Sequence, residues 1–269
     1  MENGPRSTDR VELIKDLARA GGAAIRATAP AQGVVTKEGR GNLVTAADRA
    51  SERAILQLLA EHFSQDAVLS EESHPEVGDP ANTAHLWVID PLDGTSNFRS
   101  GRQHAAVSVA YVAAGVVRTG AVYDPFRDEL FFAARDRGAC LNGEPIRVGN
   151  SRHLPTATVA TDNCYDPAGT RRNLEICLRI QPSPWILIRG SAVLALCDVA
   201  CGRVDLYFHT ALKPWDNAAA FLIVREAGGR VAGLEGGDVD FWAAEAVAGN
   251  ADLVEQYRTA FRLTGPGRA

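Results

Sequence analysis

The chain of 269 residues has no apolar run long enough to cross a bilayer, and Met1 to Arg10 are polar with no hydrophobic signal core. A membrane-spanning helix and a secretory leader are therefore not expected, and the protein reads as cytoplasmic with no membrane partner. Basic charge is also short: 28 Lys and Arg stand against 33 Asp and Glu, a formal net charge of -5. A nucleic-acid binder would show a basic face, so no nucleic-acid partner is expected and any phosphate recognition has to be local. Cysteines are few and odd in number. Cys140, Cys164, Cys177, Cys197 and Cys201 show no Cys-x-x-Cys spacing and no paired histidines, which argues for reduced, mostly buried thiols. Cys197 and Cys201 could share a helical face, yet a metal clamp there lacks partners. No internal repeat, low-complexity segment or nucleophilic serine or cysteine motif is visible.

What is present is an ordinary globular composition, 46% apolar and 23% charged, with ample material for a core. The expectation is one α/β domain over residues 1–269, with an α+β half over about 1–150 and an α/β half over about 151–269. The stretch from Trp87 to Phe98 organises the reading. Leu86 to Ile89 is a short apolar run ending at Asp90, which suggests a buried strand delivering an acid to its C-terminal edge. Pro91 is expected to stop that strand and turn the chain so that Asp93 faces back toward Asp90. Two such carboxylates can share divalent cations. Gly94 permits a tight backbone, Thr95 offers a hydroxyl, and the amides beyond the strand suit phosphate oxygens. Asp-Pro-Leu-Asp-Gly is equally a common surface turn, and these residues alone leave both readings open.

Elsewhere the periodicity predicts an amphipathic helix over Val11 to Ala29 capped by Asp9, an exposed loop or hairpin over Gln32 to Gly41 carrying Lys37, and a helix opened by Asn42 to Asp48 and running to about His62. Thr45 or Asp48 reads as a helix cap. Ala67 to Ser70 is a short strand entering Glu71-Glu72-Ser73, and His74 and His85 read as exposed loop residues. Strands follow over Ala105 to Ala113, Val116 to Tyr123 and Glu129 to Ala134, with a hairpin turning at Asn142-Gly143. From Thr156 the rhythm becomes strand, helix, strand, helix: Thr158 to Thr161, Gly169 to Ile180, Trp185 to Ile188, and a helix from Ser191 through Ala200. Val204 to Phe208 is a strand. Asn217 to Ala227 is a helix stopped by Gly228-Gly229, then come a strand near Glu245 to Ala248, a helix over Asp252 to Phe261, and a frayed tail at Gly265-Pro266-Gly267. Trp215 reads as packing.

The run Asp90-Pro91-Leu92-Asp93-Gly94-Thr95-Ser96-Asn97-Phe98 resembles the first signature of the inositol monophosphatase family, the magnesium-dependent, lithium-sensitive phosphatases of small phosphorylated metabolites. Trp215-Asp216-Asn217-Ala218-Ala219-Ala220, followed by Glu226-Ala227-Gly228-Gly229, resembles the second. Leu43-Val44-Thr45-Ala46-Ala47-Asp48, Glu71-Glu72-Ser73 and Gly190-Ser191-Ala192 match further family motifs in family order. The resemblance implies a layered αβαβα sandwich, a homodimer, and two or three Mg²⁺ ions held by Glu71, Asp90, the Leu92 carbonyl, Asp93 and Asp216. An all-oxygen set of this kind suits a hard cation and disfavours zinc. It implies catalytic roles for Asp48, Glu71 and Thr95, with Asp48 and Thr95 orienting the attacking water and Glu72 supporting Glu71. Asp93, Gly94, Thr95, Arg189, Ser191, Ala192, His209 and Asp216 are the implied substrate contacts.

The activity implied is Mg²⁺-dependent hydrolysis of a small polyol or cyclitol phosphomonoester by in-line attack of an activated water, with inositol 1-phosphate as the default substrate. Relatives on the same scaffold cleave histidinol phosphate, fructose 1,6-bisphosphate or 3'-phosphoadenosine 5'-phosphate, and a catalytically silent metal- or metabolite-binding regulator is the alternative from another class. One departure bears on substrate: many inositol phosphatases carry an acid where this chain has His209, which changes the polar group that position prefers.

Overall fold

The computed structural model describes residues 7–30, 33–36, 43–73, 77–78, 83–180 and 185–263. Lys37, Asn42, His74 and the tail at Gly265 to Gly267 lie outside the described residues. Helix α1 (Ser7–Arg26) begins before Asp9, which lies inside it rather than capping it. A two-stranded ribbon, β1 (Val35–Thr36) with β2 (Leu43–Val44), leads into α2 (Ala46–Phe63).

Seven strands then build the first large sheet in sequence order: β3 (Ala67–Ser70), β4 (His85–Asp93), β5 (Ala106–Ala113), β6 (Val116–Asp124), β7 (Glu129–Ala134), β8 (Ala139–Leu141) and β9 (Glu144–Pro145). Only the β3–β4 pair is parallel. The β8–β9 hairpin turns at Asn142-Gly143, both with positive φ, as a two-residue hairpin turn requires. His85 opens β4 instead of lying in a loop, and its Nδ1 sits 2.7 Å from the Tyr111 hydroxyl. Pro91 does not end β4. The strand continues to Asp93 and its pairing with β5 shifts register between Asp90 and Asp93. Proline has no amide to give the ladder, so the chain bulges there and resumes.

The second sheet holds β10 (Thr158–Thr161), β11 (Trp185–Ile188), β12 (Leu206–His209), β13 (Arg230–Ala232) and β14 (Ala246–Gly249), in the order β11-β10-β12-β14-β13. Its first three strands are parallel, and β14 runs antiparallel to both neighbours. The three-residue β13, just past Gly228-Gly229, gives too short a pattern to read from sequence. Helices α4 (Pro167–Arg179), α5 (Ala192–Ala200), α6 (Pro214–Glu226) and α7 (Ala251–Leu263) complete this part.

Strand alternation sorts the side chains into three cores. Trp87, Ile89, Val109 and Tyr111 face α1 and α2. Leu86, Val88, Ala110 and Val112 face α5 and α6, which also take Ala160, Tyr207 and Ala248 from the second sheet. Val159, Leu206, Phe208 and Val247 point outward onto α4 and α7. The result is helix, sheet, helix, sheet, helix, the layered sandwich expected. The central layer is packed closely: a Cβ on Gly120 of β6 would lie 2.7 Å from Ala219 Cα of α6.

The five cysteines are all free; Cys177 and Cys197 are buried and the other three partly so. No helix among the described residues is long and apolar enough to cross a membrane.

Candidate active site

The bulge in β4 places Asp90 and Asp93 on the sheet edge, and α6 brings Asp216 to them from the far end of the chain. Each offers a carboxylate oxygen within 4.8 Å of the others, and among the described residues this is the one group of three or more such ligands. Every member is fixed through one oxygen. Asp90 Oδ1 accepts the Leu92 amide at 3.0 Å, and Asp216 Oδ2 accepts the Lys213 amide at 2.7 Å at the start of α6. Asp93 Oδ2 accepts the Ser191 hydroxyl and, at 3.0 Å, the Val193 amide. A carboxylate has a second oxygen, and those remain for a cation.

The acids resist ionisation side by side. Burial, followed by the charges of Glu71, Asp93 and Asp216, pushes Asp90 well above the usual carboxylate range. Burial and then Asp93 do the same to Asp216, and burial above all lifts Asp93 to about 6. A hard divalent cation offsets these repulsions, and the donor set fits one: oxygen throughout, with no histidine or thiol in the group. Glu71 lines the same cavity and acts on Asp90 and Asp216 through its charge, but stands outside the group of three. The Leu92 carbonyl, also at the cavity, lies 3.1 Å from Thr95 Oγ1.

Helix α2 holds this edge in place from one face. Thr45 caps it, and Asp48 answers in a capping box, its Oδ2 accepting the Thr45 amide at 2.7 Å and hydroxyl at 2.5 Å. The other oxygen, Oδ1, accepts the Thr95 hydroxyl at 2.9 Å, so the cap and the site residue are one side chain. One turn on, Ser51 donates to the Pro91 carbonyl at 2.6 Å, and Glu52 accepts the Ser70 hydroxyl and the Ser73 amide on either side of Glu71. Sequence reasoning missed Ser51 and Glu52; the available signal was polar residues at i+3 and i+4 from Asp48 on a face otherwise buried by Ile55 and Leu59. Gly94 has φ of 88°, and a Cβ there would lie 2.8 Å from the His104 carbonyl. Only glycine makes that turn without displacing backbone.

The opposite wall of the cavity, about 430 Å³, comes from the second sheet. The parallel strands β10, β11 and β12 end there, delivering Asp162, Arg189 and His209, in the manner of α/β sheets whose ligands gather at strand C-termini. Arg189 is tied through Nη2 at 2.6 Å to Asp198, which anchors its guanidinium at the cavity wall. Ser191 caps α5 by accepting the Leu194 amide, and Ala192 is the first residue of that helix. His209 is 5% exposed; burial lowers its pKa to about 4, against a smaller opposing pull from the Asn163 backbone. Its Nδ1 accepts the Ala211 amide at 3.1 Å, so the neutral ring carries its proton on Nε2, 3.7 Å from Cys164 Sγ. Trp215 packs against the central core as expected and also borders the cavity. Asp162 and Tyr165 line the cavity without having been singled out in the sequence, as does Cys164, read there only as a reduced thiol. Their signal was position directly after a strand, visible only once the strands are known to be parallel.

Comparison with known proteins gives the same grouping. The model of the inositol monophosphatase family matches residues 8–263. An inositol-1-monophosphatase from Synechocystis sp. is 37% identical over 233 residues, 86% of this chain and 80% of that protein. A protein from Pasteurella multocida named Nus factor SuhB is 39% identical, covering 82% of this chain and 83% of its own. The solved inositol monophosphatase of Anabaena (Nostoc) sp. superposes with a TM-score of 0.83 at 32% identity, over 97% of this chain and 98% of that one. With five motifs in order, the layered fold and an acidic edge assembled from both halves, the chain belongs to the inositol monophosphatase family.

Proposed function

We propose that the protein hydrolyses the phosphomonoester of a small polyol, cyclitol or sugar, with inositol 1-phosphate the default substrate. Support comes from one juxtaposition above all: Asp90, Asp93 and Asp216 share a centre, and beside them Thr95 is hydrogen-bonded to Asp48. Glu71, Asp90, the Leu92 carbonyl, Asp93 and Asp216 would hold two or three Mg²⁺ ions. Bound there, the ions would supply an acidified water and neutralise charge on the phosphoryl and leaving oxygens. The chain's own residues do the rest. Asp48 accepts the hydrogen bond of the Thr95 hydroxyl, leaving a lone pair of Oγ1 to accept a hydrogen bond from the attacking water and so orient it. The amides of Gly94 and Thr95 grip the phosphate. Ser191 and the first turn of α5 hold Asp93 in its rotamer. Where an acid would offer acceptors, His209 presents a neutral ring whose Nε2 proton is turned to Asn163 and Cys164, so a substrate that relies on a carboxylate to accept from its hydroxyls is disfavoured at that wall.

Phosphate release from inositol 1-phosphate, histidinol phosphate, fructose 1,6-bisphosphate and 3'-phosphoadenosine 5'-phosphate, with and without Mg²⁺, tests this reading. Mg²⁺-dependent release with one clear winner is expected. Slow, even release would keep the chemistry and point to another sugar or cyclitol phosphate. A second reading is suggested by the relative named as a Nus factor: a regulator whose work is not hydrolysis. No release from any substrate would favour it. We also propose a homodimer acting in the cytoplasm and inhibited by Li⁺; light scattering of the purified protein and Li⁺ titration of turnover check the first and last.

A further inference from the structure

The second half of the site contains a buried acid with no role in the scheme above. Asp162, 6% exposed, follows β10 and sits close enough for its charge to raise Asp93. A further carboxylate beside an acidic cluster is an electrostatic cost, and burial pushes Asp162 itself up to about 6. Its hydrogen bonds indicate what is gained. Oδ1 accepts the amides of Arg189, at 2.9 Å, and of Gly190, and Oδ2 accepts the Tyr207 hydroxyl at 3.3 Å.

The same turn is gripped from the other side. Asn97, in the helix that follows the metal loop (α3, Thr95–Arg99), donates through Nδ2 to the carbonyls of Arg189, at 2.9 Å, and of Gly190, at 3.0 Å. Amides are therefore held by Asp162 and carbonyls by Asn97. Gly190 makes the turn at φ of 73°, in the left-handed region that favours glycine, and a Cβ there would lie 3.0 Å from Asn97 Nδ2. Directly after this turn come Ser191 and Val193, whose hydroxyl and amide both end on Asp93 Oδ2.

We propose that Asp162 is a positioning residue: by fixing the Arg189-Gly190 turn, it sets Ser191 and the start of α5 on Asp93 and so pre-orients that carboxylate for its cation. This rests on the reading of Asp93 as a metal ligand. The clamp acts through hydrogen bonds to the turn, and an amide oxygen in the place of Oδ1 can still accept both backbone amides, though more weakly than a carboxylate and without the Tyr207 bond to Oδ2.

The test is Mg²⁺ binding by calorimetry, without substrate, to the wild type, Asp162→Ala and Asp162→Asn. Asp162→Ala is expected to weaken Mg²⁺ binding about tenfold or more, as loss of a group orienting a metal ligand does, while Asp162→Asn recovers most of the affinity. Unchanged binding in Asp162→Ala, or equal weakening in both variants, overturns the proposal. Absence of Mg²⁺ binding in the wild type overturns the metal reading instead. Should Asp162→Ala fail to fold, amide exchange in the wild type decides. Mg²⁺ is expected to slow exchange at Arg189, Gly190 and Val193 together; slowing at Val193 alone would uncouple the turn from Asp93.

Discussion

The two halves of the molecule contribute to one cavity in different ways. The first half brings its residues as short contiguous words: Asp90 to Thr95 on a bulged strand end, Glu71 beside it, and Asp48 from a helix capping box. The second half brings one residue per parallel strand end, at Asp162, Arg189 and His209, and adds Asp216 through a helix that crosses onto the first sheet. On the proposed reading, contiguous words serve chemistry whose geometry tolerates little change, because the same few backbone bonds fix Asp90, the Leu92 carbonyl and Asp93, while Glu71 and Asp216 arrive from outside that word. Strand ends can be varied singly, so under the proposed phosphatase reading a position such as His209 suits selection of the leaving group.

The largest way to break this division is Asp93→Asn, which keeps the side-chain shape and removes the charge. Turnover should fall on the order of a thousandfold with thermal unfolding little changed; near-normal phosphate release would sink the assignment. Thr95→Ala should lower kcat about a hundredfold while leaving Mg²⁺ affinity intact, and a parallel loss of affinity would show that Thr95 serves the metal loop rather than the water. On the other wall, His209→Glu should reorder the substrates by about tenfold in kcat/KM without altering Mg²⁺ dependence. If ranking and affinities both stay put, position 209 does not touch substrate.

The smallest effect is on stability. In metal-free protein the folded state binds protons more tightly than the unfolded chain at Asp90, Asp93 and Asp216, all raised from the usual 3.8, so these acids make stability fall as pH rises through their folded values. His104 and His209 oppose them. Held near 4 instead of 6.5 by burial, they make stability rise with pH across that window. Well above pH 6.5 both rings are neutral in either state and their opposing contribution is complete. Without Mg²⁺ the raised acids should therefore hold melting temperature down once pH exceeds their folded values, and the gain on adding Mg²⁺ should grow as pH rises through about 6, where Asp93 loses its proton. A Mg²⁺ increment independent of pH would show that the acids are not where the cation binds.

The same contrast explains what was legible in the sequence. The acidic loop, the Thr45 to Asp48 cap and the order of strands and helices could be read because each is written in adjacent residues with local causes. The bulge at Pro91 could not, since the rule that proline ends a strand holds only until a neighbouring strand re-forms the ladder beyond it, as β5 does at Ala106. Asp162 was invisible for a related reason. Its partners, Arg189, Gly190 and Tyr207, lie 27 to 45 positions away, and its place just after β10 marks it only once that strand is known to run parallel to its neighbours. Ser51 and Glu52 fall between these cases, on a legible helix but with partners on other strands.

The close approach of α6 to β6, where Gly120 leaves space for the Ala219 backbone, bears on how the chain is made. The seven-stranded sheet is complete in sequence by Pro145, yet α5 and α6, which cover its second face, end at Ala200 and Glu226. A nascent chain leaving the ribosome therefore carries a finished sheet with one oily face bare for the length of some eighty further residues, counted from Pro145 to Glu226. Such a surface is where chaperones bind and where truncated products aggregate. Expressed alone, residues 1–150 should be insoluble, and the full chain should unfold in a single transition, its two stretches joined by a core that neither owns.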